Sequence, residues 1–82
     1  MKKHNDIAAA VVDTLERYFN DLDGEQPTDV YNMVMRNTER PLLQCIMART
    51  NGNQSEAAQL LGINRNTLRR KLLDHGLVDS NF

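Results

Sequence analysis

The second half of the chain is interrupted twice, at Asn51-Gly52-Asn53 and at Gly62-Ile63-Asn64. Both interruptions have the Gly and Asn content of turns. They leave two short helical segments, 54–61 and 65 to about 75. Isolated helices below ~12–15 residues are marginal in water, so these two can persist only by packing on each other. Ala57, Ala58 and Leu61 share one face of the first segment, and Leu68 and Leu72 stand one turn apart on the second. The alanine pair lets two helix axes approach closely, Gly62 takes the sharp turn, and Ile63 joins the leucines between the helices. Two short helices around a three-residue Gly turn predict a helix-turn-helix over about 54–73. Gly76 is placed to end the second helix, and the tail 77–82 is expected to fray.

Upstream, Ile7, Val11, Leu15, Tyr18 or Phe19, and Leu22 recur at steps of three and four, predicting a helix over about 7–22. Asn5 or Asp6 is positioned to cap it, and Asp23-Gly24-Glu25-Gln26-Pro27 stops it. Thr28 or Asp29 opens a second helix over about 30–50, with Asn32 completing a local cap. Its apolar stripe reads Val30, Tyr31, Val34, Met35, Thr38, Leu42, Cys45 and Ile46. Pro41 interrupts this stripe at a cost of about 3 kcal/mol in a helix interior. Glu39 and Arg40 are helix formers and no turn residues surround the proline, so one kinked helix is expected rather than two. No alternating run is long enough to predict a strand, so the fold class is all-α.

An 82-residue chain, 40% apolar and with four aromatic residues, buries only a thin core. Small domains are commonly reinforced by a disulfide, a metal or a partner subunit. The single cysteine excludes an internal disulfide, and Cys45 with His4 and His75 has no zinc-ligand spacing. Oligomerisation is the support that remains. The longest apolar run, Ile7–Val12, is far short of the ~20 residues of a membrane span. The N-terminus lacks the pattern of a secretory signal. A cytoplasmic protein with Cys45 reduced is expected, and no membrane partner.

The net charge of −1 conceals a division. Residues 1–48 hold five basic side chains against eight acidic ones, a net of −3, whereas residues 49–78 hold five against two, a net of +3. Four of the latter five basic residues, Arg65, Arg69, Arg70 and Lys71, fall on the last helix. Such asymmetry points to a nucleic-acid surface. Asn64 occupies the N-cap position and can accept an N–H at or near Thr67, leaving Arg65, Asn66, Arg69 and Arg70 to project from the helix start. In a helix-turn-helix that end reaches base edges, and an arginine fork donating to guanine is worth ~1–3 kcal/mol of discrimination. Asn53, Gln54 and Ser55 begin the preceding helix, where free N–H groups make a phosphate seat.

The run Asn51-Gly52-Asn53-Gln54-Ser55-Glu56-Ala57-Ala58-Gln59-Leu60-Leu61 and its continuation Gly62-Ile63-Asn64-Arg65-Asn66-Thr67-Leu68-Arg69-Arg70-Lys71-Leu72 closely resembles the Fis (factor for inversion stimulation) family of bacterial DNA-binding proteins. With Arg40-Pro41-Leu42-Leu43 and Tyr18-Phe19-Asn20-Asp21-Leu22-Asp23-Gly24, the resemblance covers roughly residues 7–77. It implies a single domain over 1–82: a four-helix homodimer with two intertwined N-terminal helices and a C-terminal helix-turn-helix. It also implies binding to double-stranded DNA with an A/T-rich centre, DNA bending, and work in transcription, recombination and nucleoid organisation, with RNA polymerase or a recombinase as further partners. Asn64, Arg65, Thr67, Arg69 and Arg70 would then be recognition contacts, with Lys71 beside them, and Asn53, Gln54 and Ser55 phosphate contacts. Pro41 would sit at the kink. Val11, Leu15, Tyr18, Val34, Met35, Leu42 and Ile46 would serve dimerisation. The chain departs from the family where Leu73-Asp74-His75 stands in place of lysines and Asn51 in place of a basic residue. Only about six residues precede the first helix, too few for the mobile arm with which some members activate DNA invertases.

The plainer readings are packing for Cys45, complementing a helix dipole for His75, disorder for His4, and core or dimer filling for Met33, Met35 and Met47. The scattered carboxylates form no catalytic constellation, so no enzyme activity, cofactor or metal is expected. Two other roles share these features. One is the detached output domain of an enhancer-binding activator, against which Met1 and the chain's self-sufficient length favour a stand-alone protein. The other is a protein-interaction module that touches no DNA.

Overall fold

A computed structural model describes the backbone over residues 3–78 and side chains from residue 6 to residue 78. Among the described residues there are four helices and no strand: α1 (Lys3–Asp21), α2 (Val30–Arg49), α3 (Gln54–Leu61) and α4 (Arg65–Asp74). Their contacts group into two units, residues 1–35 and 36–82, and α2 runs through the boundary as one helix.

In the first unit, α1 starts at Lys3, earlier than Asn5 or Asp6 could cap it. Nothing in residues 3–6 breaks a helix, so both are helical residues. Asp6 acts instead through its charge in the first turn, where a carboxylate complements the macrodipole. The start also places position 4 in the helix, in place of the disorder expected of His4. Val11, Leu15, Tyr18 and Leu22 are half-buried, while Ile7, Val12 and Phe19 are exposed. The Tyr18 and Phe19 rings meet edge to face at 5.7 Å. After Leu22, Asp23 and Gly24 take positive φ and turn the chain. Asp29 opens α2: its carbonyl accepts from Met33 N–H at 3.1 Å, and its carboxylate accepts from the Asn32 amide at 2.8 Å.

Helix α2 is continuous through Pro41, so the single-helix reading holds. Pro41 itself is exposed, as is Asn37, whose carbonyl an N–H at position 41 would have bonded.

The second unit carries the core. Leu43 of α2, Ala57 and Ala58 of α3, and Leu68 and Leu72 of α4 form one buried cluster. Ile46, Met47, Leu61, Ile63, Leu77 and Val78 pack around it. The stripe read from the sequence is thereby corrected. Leu43, 1% exposed, faces this core, while Leu42 is 47% exposed and Cys45 is exposed on another side. Ile46, assigned to dimerisation, packs against the core of its own chain. Glu39, Leu43, Ile46, Met47 and Thr50 make the inward stripe, which one charged and one hydroxyl residue had hidden from an apolar count. The tail is corrected in part: Leu77 and Val78 are packed on the core, and residues 79–82 lie outside those described.

The three helices of this unit end in the same way. A residue with left-handed φ follows the helix, and the next N–H reaches back five residues: Gly52 to Met47 O at 2.9 Å, Ile63 to Ala58 O at 3.1 Å, Leu77 to Leu72 O at 2.8 Å. This Schellman geometry satisfies carbonyls that the helix leaves open. The left-handed residue is Asn51, Gly62 and Gly76 in turn. A Cβ at Gly62 would meet nothing within 4 Å, so substitution there is opposed by backbone conformation alone. Gly62→Ala is expected to cost about 1–2 kcal/mol in urea unfolding. Asn51→Gly should leave stability unchanged or raise it slightly.

Candidate nucleic-acid interface

The candidate surface depends on two asparagine caps. Asn53, in extended conformation, accepts from Glu56 N–H at 3.0 Å and starts α3. Asn64 does the same for α4, accepting from Asn66 N–H at 2.7 Å, one residue earlier than Thr67. Both cap oxygens are thus used internally, and what Asn53 and Asn64 can offer a ligand is their amide N–H groups. Ser55 is exposed and Gln54 half-buried at the start of α3.

Helix α4 divides by face. Leu68, Leu72 and His75 are buried. Arg65, Asn66, Thr67 and Arg70 are exposed, and Arg69 is half-buried. Among the described residues neither Arg65 nor Arg70 is held in an ion pair. The N-terminal half of α4 therefore presents two guanidinium groups, an amide and a hydroxyl on a helix whose other side is locked by leucines.

Lys71 is placed differently from the other basic residues. Its Nζ lies 2.7 Å from Glu39 Oε2 on α2. The second oxygen, Oε1, lies 2.8 Å from His75 Nε2. These partners hold the Glu39 carboxyl below its ordinary range, the Lys71 hydrogen bond contributing most and the His75 one next, against an opposing effect of burial. A depressed carboxyl stabilises the fold at pH above the unfolded value, and that contribution is lost as pH falls through the folded one. Arg36 reaches the Asp74 carbonyl at 3.4 Å, and Arg40 donates to the His75 carbonyl. Two cations thus meet the C-terminal carbonyls of α4, where the macrodipole is negative. His75, expected to complement that dipole, is instead a buried side chain facing a carboxylate. The sequence assigned Glu39 no part in the site, because it entered only as a helix former beside Pro41 and as one of the acids in the first half. The available signal was its place one turn before Leu43.

The residues assigned to dimerisation are distributed over both units. Val11, Leu15, Tyr18 and Val34 are half-buried, and Met35 and Leu42 are 45% and 47% exposed. Tyr31 is 74% exposed. Tyr31, Met35, Thr38, Leu42 and Cys45 follow steps of four and three along α2, which is a heptad-like stripe left open to solvent. Among the described residues no group of three His, Cys, Asp or Glu side chains could hold a metal ion. No described helix is long and apolar enough to cross a membrane.

Comparison with known proteins agrees with this geometry. Residues 34–75, which include all of the helix-turn-helix, match the family model of bacterial regulatory proteins of the Fis family. A Fis-like DNA-binding protein of Neisseria meningitidis serogroup A is 52% identical over 73 residues, 89% of this chain and 92% of that protein. One of Ralstonia nicotianae is 54% identical over 74 residues, 90% of this chain and 96% of that protein. The DNA-binding protein Fis of Actinobacillus succinogenes is 47% identical over 71 residues, 87% of this chain and 72% of that one. A matching family model over the helix-turn-helix unit, and relatives at about half identity along nearly the whole chain, place this protein in the Fis family of bacterial regulatory proteins.

Proposed function

We propose that the chain is a DNA-binding regulator that works as a homodimer, with α4 of each copy entering a major groove. The observation that carries this reading is the face of α4: Arg65, Asn66, Thr67 and Arg70 exposed at the start of a helix whose other side is buried. Recognition helices present base contacts from that end. In this reading Asn64, Arg65, Thr67, Arg69 and Arg70 address the groove, and Asn53, Gln54 and Ser55 the phosphates. The names of the relatives support DNA as the partner.

The open stripe on α2 supports the dimer. Tyr31, Met35 and Leu42 keep about half or more of their surface in water in a chain with a small core, and a second copy would cover them. Two recognition helices closer than one DNA turn would bend the duplex and narrow its central minor groove, selecting A/T-rich centres without touching them. The protein would then act in the cytoplasm on the nucleoid, in transcription and in the architecture of recombination, with RNA polymerase or a recombinase as further partners, and without catalysis.

The test is a mobility shift on duplexes with A/T-rich centres over a range of salt, with sedimentation alongside. Affinity is expected to fall steeply with salt, the slope of log K against log salt being about −0.9 per phosphate neutralised. A flat response would instead favour a protein-interaction module, and a monomer at micromolar concentration would remove the two-groove geometry.

A further inference from the structure

Four polar contacts converge where α2 meets the last turn of α4. Both oxygens of Glu39 are used, one by Lys71 Nζ at 2.7 Å and the other by His75 Nε2 at 2.8 Å. Three residues before Glu39, Arg36 holds the Asp74 carbonyl; directly after it, Arg40 holds the carbonyl of His75. Lys71 and His75 are one helical turn apart, on the side of α4 that carries Leu68 and Leu72. The imidazole is nearly closed off from water, with 2% of its side chain exposed. In contrast, Arg65 and Arg70 are outward and unpaired among the described residues. The final turn of α4 is therefore tied to α2 and its opening turn is left to solvent.

The geometry points to Glu39 as the positioning residue of the recognition helix, with Lys71 as its strut rather than a phosphate contact. This rests on the DNA-binding reading above and departs from the sequence expectation that set Lys71 beside the recognition contacts. A carboxylate bound at both oxygens fixes two points a turn apart on α4, which sets the helix's rotation about its own axis as well as its distance from α2. Rotation decides which side chains face base edges. Lys71, with its charge already matched by Glu39, adds little to the attraction for DNA.

The experiment measures binding of the full chain to two duplexes of equal length, one selected from a randomised pool by the wild-type protein and one unrelated. Glu39→Gln, Lys71→Gln, their double variant and Lys71→Arg are compared with wild type over a range of salt, each first shown to be folded by circular dichroism. Glu39→Gln and Lys71→Gln are each expected to lower the preference for the selected duplex roughly five-fold or more, with the salt slope unchanged. The double variant should be no worse than the weaker single, and Lys71→Arg, which keeps the cation and its reach, should retain the preference. If Lys71→Gln lowers the salt slope by about one per half-site, Lys71 is a phosphate contact and the proposal is overturned. If folded Glu39→Gln and Lys71→Gln keep both preference and slope, the contacts serve stability alone and it is overturned as well. A wild type that binds neither duplex overturns the DNA-binding reading itself, and this proposal with it.

Discussion

Leu43→Ala is expected to lower the stability of the helix-turn-helix unit by about 2–5 kcal/mol, while Leu42→Ala, one position away, leaves that unit's core intact. Among the described residues Leu43 is one of three fully buried leucines, and it is the only buried residue of α2. Removing its side chain would open a cavity bordered by Ala57, Ala58, Leu68 and Leu72. Alanines cannot reorient to fill it, and the leucines are fixed by α4. Equilibrium denaturation followed by circular dichroism measures the loss, and equal losses from the two leucines would contradict the facing of α2. Leu42→Ala should show its effect in sedimentation, as a shift toward monomer, because its exposed surface belongs to the stripe proposed for the second copy.

Arg65→Ala is expected to cost about 1–3 kcal/mol of binding to a selected duplex and to relax base preference. Pairing it with Arg69→Ala should leave mainly sequence-independent affinity. Arg65 is the first residue of α4, exposed, and makes no ion pair among the described residues, so its loss should leave the fold nearly untouched. Ser55→Ala serves as the contrast, with binding weakened evenly over all sequences. Competition between selected and unrelated duplexes separates the two, and an even loss from Arg65→Ala would remove it from base contact.

What could be read from the sequence was whatever announces itself locally. The limits of α3 and the start of α4 follow from Asn53, Gly62 and Asn64, whose side-chain acceptors and backbone freedom act within a few residues. The faces of those helices follow from Ala57, Ala58, Leu68 and Leu72 for the same reason. Helix α2 was harder because it carries two apolar sides. A stripe containing Leu42 and Cys45 is as regular as one containing Leu43 and Met47, and periodicity alone does not say which side meets its own chain. Glu39 was invisible for another reason: its partners are 32 and 36 positions away. A long-range ion pair leaves no local period. The charge count placed Lys71 with the arginines because a sum over a segment ignores direction. Arg69 and Lys71, two residues apart on a helix, lie on nearly opposite flanks.

The course of α2 has a mechanical consequence. One face of α2 carries the open stripe from Tyr31 to Cys45, and another face supplies Glu39 and Leu43. In a dimer joined through that stripe, the distance between the two reading helices would be set by a rigid member. Such an assembly works as a gauge of fixed span. Where the span and the helical repeat of DNA disagree, the compliance would have to come from the duplex, and sequences that yield easily would be preferred for their softness. A single residue inserted near Thr38 would turn the part of the stripe before it by about 100° against the part after it, so that the stripe would no longer run along one face.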